Sequence, residues 1–264
     1  MEETQVTPKV MIERPAVSVY IVTLNEAAHL AETLHSVRDF DEIIVVDSGS
    51  DDGTVDIAHR HGARVIHQQW LGYAQQKSFA LQQCRNEWCL NLDGDEVLPP
   101  EMLDELLSLI SSDACDAVRL RIEDIFMGAP MHPWSRKRSI VRCFKKSLVH
   151  YPTNRRVHEN IVCSGKTVTT KSCLLHYGYD DVQTFSSKYM SYARLKAMDK
   201  FDRGKRASLL KLLLIFPLSF IKVYILRRML LSGTRGLIQA YIEAMYALMK
   251  EAYLYQLERS HRSS

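Results

Sequence analysis

The chain carries few of the marks that would assign it at once to a secreted, membrane-spanning or zinc-scaffolded class. Its six cysteines, at 84, 89, 115, 143, 163 and 173, show no paired zinc spacing. The N-terminus is polar, so no secretory leader is expected and reduced thiols in the cytoplasm are the simpler account. There is no internal repeat and no low-complexity segment. The apolar stretch Leu212 to Ile221 is only ten residues, too short to cross about 30 Å of hydrocarbon as a helix. Glycine is missing where a phosphate loop would need it, in Thr23-Leu24-Asn25-Glu26, which speaks against a nucleotidyltransferase.

What the chain does have is order. Val17 to Thr23 is a β-rich apolar run, Glu42 to Asp47 a second, Arg64 to His67 a third and Trp88 to Leu92 a fourth. Helical stretches separate them: Ala27 to Val37 with Asn25 as its cap, a segment from Thr54 to about Gly62, and Gln75 to Cys84. Alternation of this kind predicts a parallel sheet covered on both faces, with ligands beyond the carboxyl ends of the strands. Asn25, Glu26, Asp47 and Asp93-Gly94-Asp95-Glu96 all fall at such ends. Three carboxylates in one tight turn repel one another unless a cation or a set of donors offsets them. A divalent cation with hard oxygen ligands, shared with substrate phosphates, fits that need; a solvated acidic turn is the plainer alternative.

Thr23-Leu24-Asn25-Glu26, Ile43 to Asp47, Ser50-Asp51-Asp52-Gly53-Thr54 and Asp93-Gly94-Asp95-Glu96, in that order, resemble the family 2 glycosyltransferases, which have the GT-A fold. Asp47 to Ser50, Trp70-Leu71-Gly72 and Gln76-Lys77 resemble more closely the lipopolysaccharide core β-glucosyltransferase subgroup. Ser78 departs from the asparagine that many relatives carry there. The resemblance implies an α/β, Rossmann-like, mostly parallel sheet flanked by helices, with a C-terminal helical extension. It implies a sugar-nucleotide pocket made of Thr23, Asn25, Glu26, Asp47, Ser50, Lys77, Asp93 and Gly94. Within it Asp47 would accept from the nucleotide base, and Asp93 would lie near the ribose. Asp95 and His176 would hold Mg2+ or Mn2+, with His158 the competitor of His176. Glu159 in Val157-His158-Glu159 would be the base of an inverting transfer, or else the salt-bridge partner of Arg155 or Arg156.

The implied donor is a UDP-sugar, UDP-glucose first, and the implied acceptor is the inner core of lipopolysaccharide on the cytoplasmic face of the inner membrane. A polyprenyl-phosphate or protein acceptor is the runner-up, and a sugar-nucleotide scaffold with a lapsed site is the non-enzymatic one. A net charge of +3 is modest, yet Arg136, Lys137, Arg138, Arg142, Lys145, Lys146, Arg155 and Arg156 share a stretch without an acidic residue. Such a patch suits an anionic acceptor or an anionic membrane, while no nucleic-acid module accompanies it. Trp134 beside it is a candidate for stacking on a sugar, or for the core. We expect residues 1–15 as a flexible end, a catalytic domain over 16–180 divided near 110, and helices over 181–264. Those helices are read as Asp181 to Lys200, Ala207 to Leu231 and Gly236 to Arg259, the middle one lying in a membrane surface or packing as a hairpin or dimer contact.

Overall fold

The β-branched runs at the start of the chain become four parallel strands. In the computed structural model, which describes residues 15–152 and 161–263, β1 (Val17–Thr23), β2 (Glu42–Asp47), β3 (Arg64–His67) and β4 (Trp88–Asp93) lie in the order β3-β2-β1-β4. Three helices connect them: α1 (Leu30–Ser36), α2 (Thr54–Arg60) and α3 (Tyr73–Gln82). Side chains alternate across the sheet, so two cores form. Val19, Ile21, Leu90 and Leu92 pack with Leu30, Leu34, Met102 and Leu106 on one face. Tyr20, Ile44, Val46 and Cys89 pack with Ala80 and Phe144 on the other.

Beyond β4 the sheet changes direction. The elements are β5 (Glu96–Val97), α4 (Pro100–Ser111), β6 (Ala117–Phe126), β7 (Ala129–Pro130), β8 (Arg138–Lys145), β9 (Val149–His150), β10 (Val162–Cys163) and β11 (Thr167–Tyr179). The nine-stranded sheet continues β4-β8-β6-β11-β5, with β7 paired to β6. β8 is antiparallel to both β4 and β6, whereas β6 and β11 are parallel and β5 is antiparallel to β11. The parallel expectation thus holds for the first half of the sheet and gives way to a mixed second half. There, β8 carries side chains from across the sheet toward the end of β4.

Three helices follow: α5 (Val182–Asp202), α6 (Leu209–Ile221) and α7 (Gly233–Ser263). Asp181 caps α5, its Oδ1 accepting from the Thr184 backbone N–H at 2.6 Å. A third apolar cluster, with Phe126, Tyr179, Phe185, Val223 and Met229, fastens this extension to the sheet. The middle helix is not the single rod expected over 207–231. Pro217 sits inside α6, the path widens into a π turn at Lys222–Leu226, and Arg228 adopts φ 59° before a 3-10 turn at Met229–Ser232. Because the helical path continues past Ile221, Leu209–Leu226 spans eighteen residues. Among the described residues it is the one segment long and apolar enough to cross a membrane by length and composition, and little of it is buried.

Asn25 is not a helix cap. It has φ 57°, and α1 starts later, at Leu30. The Asn25 side chain instead accepts from the Asp51 N–H at 3.0 Å, tying the turn after β1 to the loop after β2.

Candidate active site

Two loops stitched together form one wall. The Asn25 N–H donates to Ser50 Oγ at 2.9 Å, the Glu26 N–H to Thr54 Oγ1 at 2.9 Å, and the Ala27 N–H to Asp52 Oδ2 at 3.0 Å. Asp47, buried at the end of β2, organises the second loop. Its Oδ2 accepts from the Gly49 and Ser50 N–H groups at 2.8 and 2.9 Å; its Oδ1 accepts from Ser50 Oγ at 2.5 Å and Thr23 Oγ1 at 3.3 Å. Burial would raise this carboxyl, but the Ser50 hydroxyl and the loop N–H groups outweigh it and hold it below its ordinary range. Four donors occupy about the four positions a carboxylate offers, so any further donor must displace one of them.

The acidic turn after β4 is neutralised from within the protein. Arg142, deeply buried on β8, places Nη2 2.6 Å from both Asp93 Oδ2 and Glu96 Oε1, and Nη1 2.7 Å from Asn91 Oδ1. Lys77 of α3 reaches Asp93 Oδ1 at 2.8 Å. Burial alone would raise the Asp93 carboxyl, but the charges of Arg142 and Lys77 prevail and hold it well below the usual range. Gly94 allows the turn to lie against the loop after β1: a Cβ there would come within 3.0 Å of Glu26 Cβ. Glu26 itself is pushed up to about 7, first by burial and then by the neighbouring charge of Asp95.

Asp95 faces a different set of groups. Its Oδ2 is 3.6 Å from His176 Nε2 and 3.8 Å from Lys188 Nζ of α5. The pairing of β5 with β11 places Glu96 opposite His176, which brings the turn and the histidine together. On its far side His176 Nδ1 meets Asp124 Oδ1 at 2.8 Å, and Arg138 donates to the same oxygen at 2.9 Å. Burial would lower the imidazole, yet the Asp124 hydrogen bond and the Asp95 charge raise it. Asp124 is correspondingly held down at about 2; burial opposes this, and the His176 bond and the Arg138 charge overcome it. A cleft of ≈ 430 Å³ opens over Asn91, Asp93 and His176, walled by Tyr73 and Lys77 on one side and by α5 and α7 on the other.

The model of the family "Glycosyl transferase family 2" matches residues 18–164, a span that contains both loops and the acidic turn. The chain is a family 2 glycosyltransferase. It is 33% identical over 256 residues to the lipopolysaccharide core biosynthesis glycosyltransferase LpsC of Rhizobium meliloti, covering 93% of this chain and 94% of that one. An uncharacterized glycosyltransferase of Rickettsia typhi, RT0209, is 30% identical over 94% of this chain and 89% of its own. Among solved structures, S. aureus TarS 1-349 aligns with a TM-score of 0.49 and 15% identity, covering 94% of this chain and 91% of that one. The glycosyltransferase has the GT-A arrangement: a parallel half and a mixed half built around β8.

Among the described residues no group of three or more His, Cys, Asp and Glu side chains converges as a ready metal cluster. Asp95 and His176 do face each other, and Gly178 leaves open the space beside them. A Cβ at Gly178 would fall 2.5 Å from Asp95 Oδ2 and 2.8 Å from His176 Nε2. Asp124 fixes the imidazole from behind, an outer partner of the kind metal-binding histidines use. One carboxylate and one imidazole fit a cation that takes its remaining ligands from substrate phosphates.

Of the residues singled out from sequence, Thr23, Asn25, Glu26, Asp47 and Ser50 meet in the two stitched loops. Lys77, Asp93, Gly94, Asp95 and His176 meet around the acidic turn. Lys77 is not an exposed helix lysine, being about 9% accessible. Glu159 and His158, with Arg155 and Arg156, lie outside the described residues. Among the described residues the basic patch does not form one surface. Arg142 and Arg138 turn inward to carboxylates, Lys137 pairs with Glu123, Lys145 with Asp113 and Asp116, and Lys146 donates to the Cys84 carbonyl. Strand alternation and sheet pairing spread these side chains over separate neighbours. Arg142, Asp124 and Lys188 were missed as site residues; only the excess of buried-strand charge in Arg138-Ser139-Ile140-Val141-Arg142 hinted at the first.

Proposed function

We propose that the glycosyltransferase moves a sugar, glucose foremost, from a UDP-sugar to the inner core of lipopolysaccharide with inversion at the anomeric carbon. The observation that carries this reading is the Asp95–His176 pair facing across the space that Gly178 leaves open, beside a cleft large enough for a sugar. The name of the LpsC relative, matched over nearly the full length of both chains, supports the acceptor class.

In this reading the stitched loops carrying Thr23, Asn25, Asp47 and Ser50 receive the nucleotide base and ribose, one loop donor yielding its place on Asp47. Asp95 and His176 hold Mg2+ or Mn2+, which when bound neutralises charge on the departing diphosphate. Lys188, next to Asp95, adds a protein cation at the same place. Glu159 takes the proton of the acceptor hydroxyl as its oxygen bonds to the anomeric carbon and the bond to the diphosphate breaks, releasing UDP. Ile161, two positions further along the chain, lines the cleft, in keeping with that role. Residues 16–180 would form the catalytic unit and 181–264 its helical extension.

We place the enzyme on the cytoplasmic face of an anionic membrane, resting on α6. Leu209, Leu210, Leu213 and Leu218 are all more than half exposed, and the exposed Lys211, Lys222 and Arg228 accompany them along the same path, where cations suit anionic headgroups. Phe216 and Phe220 of α6 pack against Tyr241 of α7, so α6 lies along the protein and spanning is disfavoured. Trp134, about 72% exposed, sits in a loop tied to the same end by the His132 N–H bond to Ser232 Oγ. An exposed indole there suits a membrane interface better than a core. The deciding experiment is a donor screen with truncated lipopolysaccharide cores read by mass shift, with Glu159→Gln in parallel. Hexose addition from UDP-glucose that Glu159→Gln reduces by about a hundredfold or more is expected. No addition from any UDP-sugar would defeat the reading.

A further inference from the structure

The counter-charges of Asp95 stand off from it, unlike those of its neighbours. Asp93, Glu96 and Asp124 each hold a charged partner between 2.6 and 2.9 Å away. His176 Nε2 and Lys188 Nζ approach Asp95 Oδ2 only to 3.6 and 3.8 Å, ion-pair distances beyond hydrogen-bond reach. Yet Asp95 is about 5% accessible, and a buried carboxylate without counter-charge is costly. Two loosely held cations on one oxygen keep it charged without filling the place beside it.

The two differ in how they are held. His176 lies on a strand of the sheet and is fixed from behind by Asp124 at 2.8 Å. Lys188 reaches the site from α5 on a flexible four-carbon stem, its side chain about 36% exposed. Its Nζ also stands 5.6 Å over the ring of Tyr179, a cation–π distance that gives the ammonium a second resting place. The same ammonium faces Glu26: that carboxyl is pushed up to about 7, first by burial and then by Asp95, and the Lys188 charge opposes the rise. A unit charge roughly 4 Å from a divalent ion costs that ion more than about tenfold in affinity, even at the screening of bulk water. Lys188 and a divalent cation therefore compete for Asp95.

We propose that Lys188 is an exchangeable counter-ion, holding Asp95 in the metal-free protein and releasing it to the cation when its ammonium turns onto an arriving diphosphate. The proposal rests on the donor and cation reading above. It adds that cation and nucleotide bind with mutual help, since Lys188 opposes the cation alone and is drawn away by the diphosphate. Lys188 is then a catalytic residue whose place depends on what occupies the cleft it lines.

The test follows free Mn2+ by its electron paramagnetic resonance signal over the full chain, with and without saturating UDP. Lys188→Met should bind Mn2+ at least about tenfold more tightly than the unaltered chain when UDP is absent, and within about threefold of it when UDP is present. The factor by which UDP tightens Mn2+ then falls by at least about threefold, and linkage requires the same fall in the help that Mn2+ gives UDP. Lys188→Arg keeps the charge and should keep both affinities within about threefold. Lys196→Met, about 12 Å further along α5, should do the same, which separates a local exchange from the general charge of the cleft. Unchanged or weaker Mn2+ binding by Lys188→Met without UDP, equal tightening with UDP, equal tightening in Lys196→Met, or Lys188→Arg behaving as Lys188→Met would overturn the proposal. Should the unaltered chain bind no Mn2+ even with UDP, the cation reading fails in its own right. A Lys188→Met chain that then acquires Mn2+ binding would still carry the exchange, and one that does not would overturn it.

Discussion

Arg142→Met removes the charge around which the acidic turn is built while roughly keeping side-chain volume. Arg142 is about 5% accessible and Glu96 is fully buried, with Nη2 bridging Asp93 and Glu96 at 2.6 Å. Breaking a buried pair by deleting one partner costs about 3–5 kcal/mol, because the other charge is left without compensation. Asp93 keeps Lys77, so the loss falls mainly on Glu96. The buried Nε of Arg142 has no hydrogen-bond partner, and removing it returns part of the cost, which points to the lower end, about 3 kcal/mol. Urea unfolding at pH 7 would read this directly, and a thermal scan would show a midpoint lower by roughly 6–12 °C. The sharper measurement is a double-mutant cycle with Glu96→Gln. The pair should couple by more than about 1 kcal/mol, since the neutral amide no longer needs the guanidinium. A single-variant loss below about 1 kcal/mol, or coupling near zero, would mean that the turn is solvated and that Arg142 is incidental to it.

Other consequences can be checked with less effort. Gly178→Ala should abolish Mn2+-dependent UDP binding while UDP binding without metal changes less than about threefold, measured by calorimetry, because the added methyl occupies the space between Asp95 and His176. The full chain should sediment with vesicles containing anionic lipid and be released by salt, whereas replacing Leu209, Leu213 and Leu218 by Ser should leave it in the supernatant; retention of the variant on the vesicles would refute α6 as the contact. Acid should destabilise the fold through Asp124: its folded value of about 2 is below its unfolded one, so its contribution is complete above about pH 4 and is lost as pH falls toward 2. That contribution is roughly 2 kcal/mol, and a urea series between pH 5 and 2.5 on Asp124→Asn should show a shallower decline than the unaltered chain; identical slopes would remove Asp124 from the account.

The strand-helix alternation up to Asp93 was legible because each parallel strand is a short β-branched run bounded by turn residues, and hydrophobic pattern alone reports that. The stitched loops were legible as residue types at strand ends, though not in detail: Asn25 supports a loop in place of capping a helix, since φ 57° and the Asp51 bond are tertiary outcomes. β8 was opaque. It enters the sheet antiparallel between β4 and β6, and nothing in Arg138 to Lys145 says which strands will flank it. Hence Arg142 read as part of a surface patch, whereas its partners lie 46 and 49 residues away in sequence. Lys188 was hidden for a similar reason, being an ordinary polar position on a helix until α5 packs beside Asp95. The middle helix was read as one rod over 207–231 because local pattern does not show the break after Ile221, and its apolar stretch was counted short because Lys211 and Lys222 interrupt the apolar run while the helical path continues through both.

Arg138 and Arg142 both belong to β8, one serving Asp124 and the other Asp93 and Glu96, and Arg142 is the extra residue of a bulge where Val141 and Cys143 pair with Arg119 and Val118. A slip of one residue in the pairing of that strand would swing both guanidinium groups to the opposite face. Three carboxylates would then lose their counter-charges together. Ionic bonding at the catalytic rim thus checks the alignment of a strand whose apolar residues, facing both ways, could tolerate a misfit. Correct assembly of the sheet and correct charging of the site are one event.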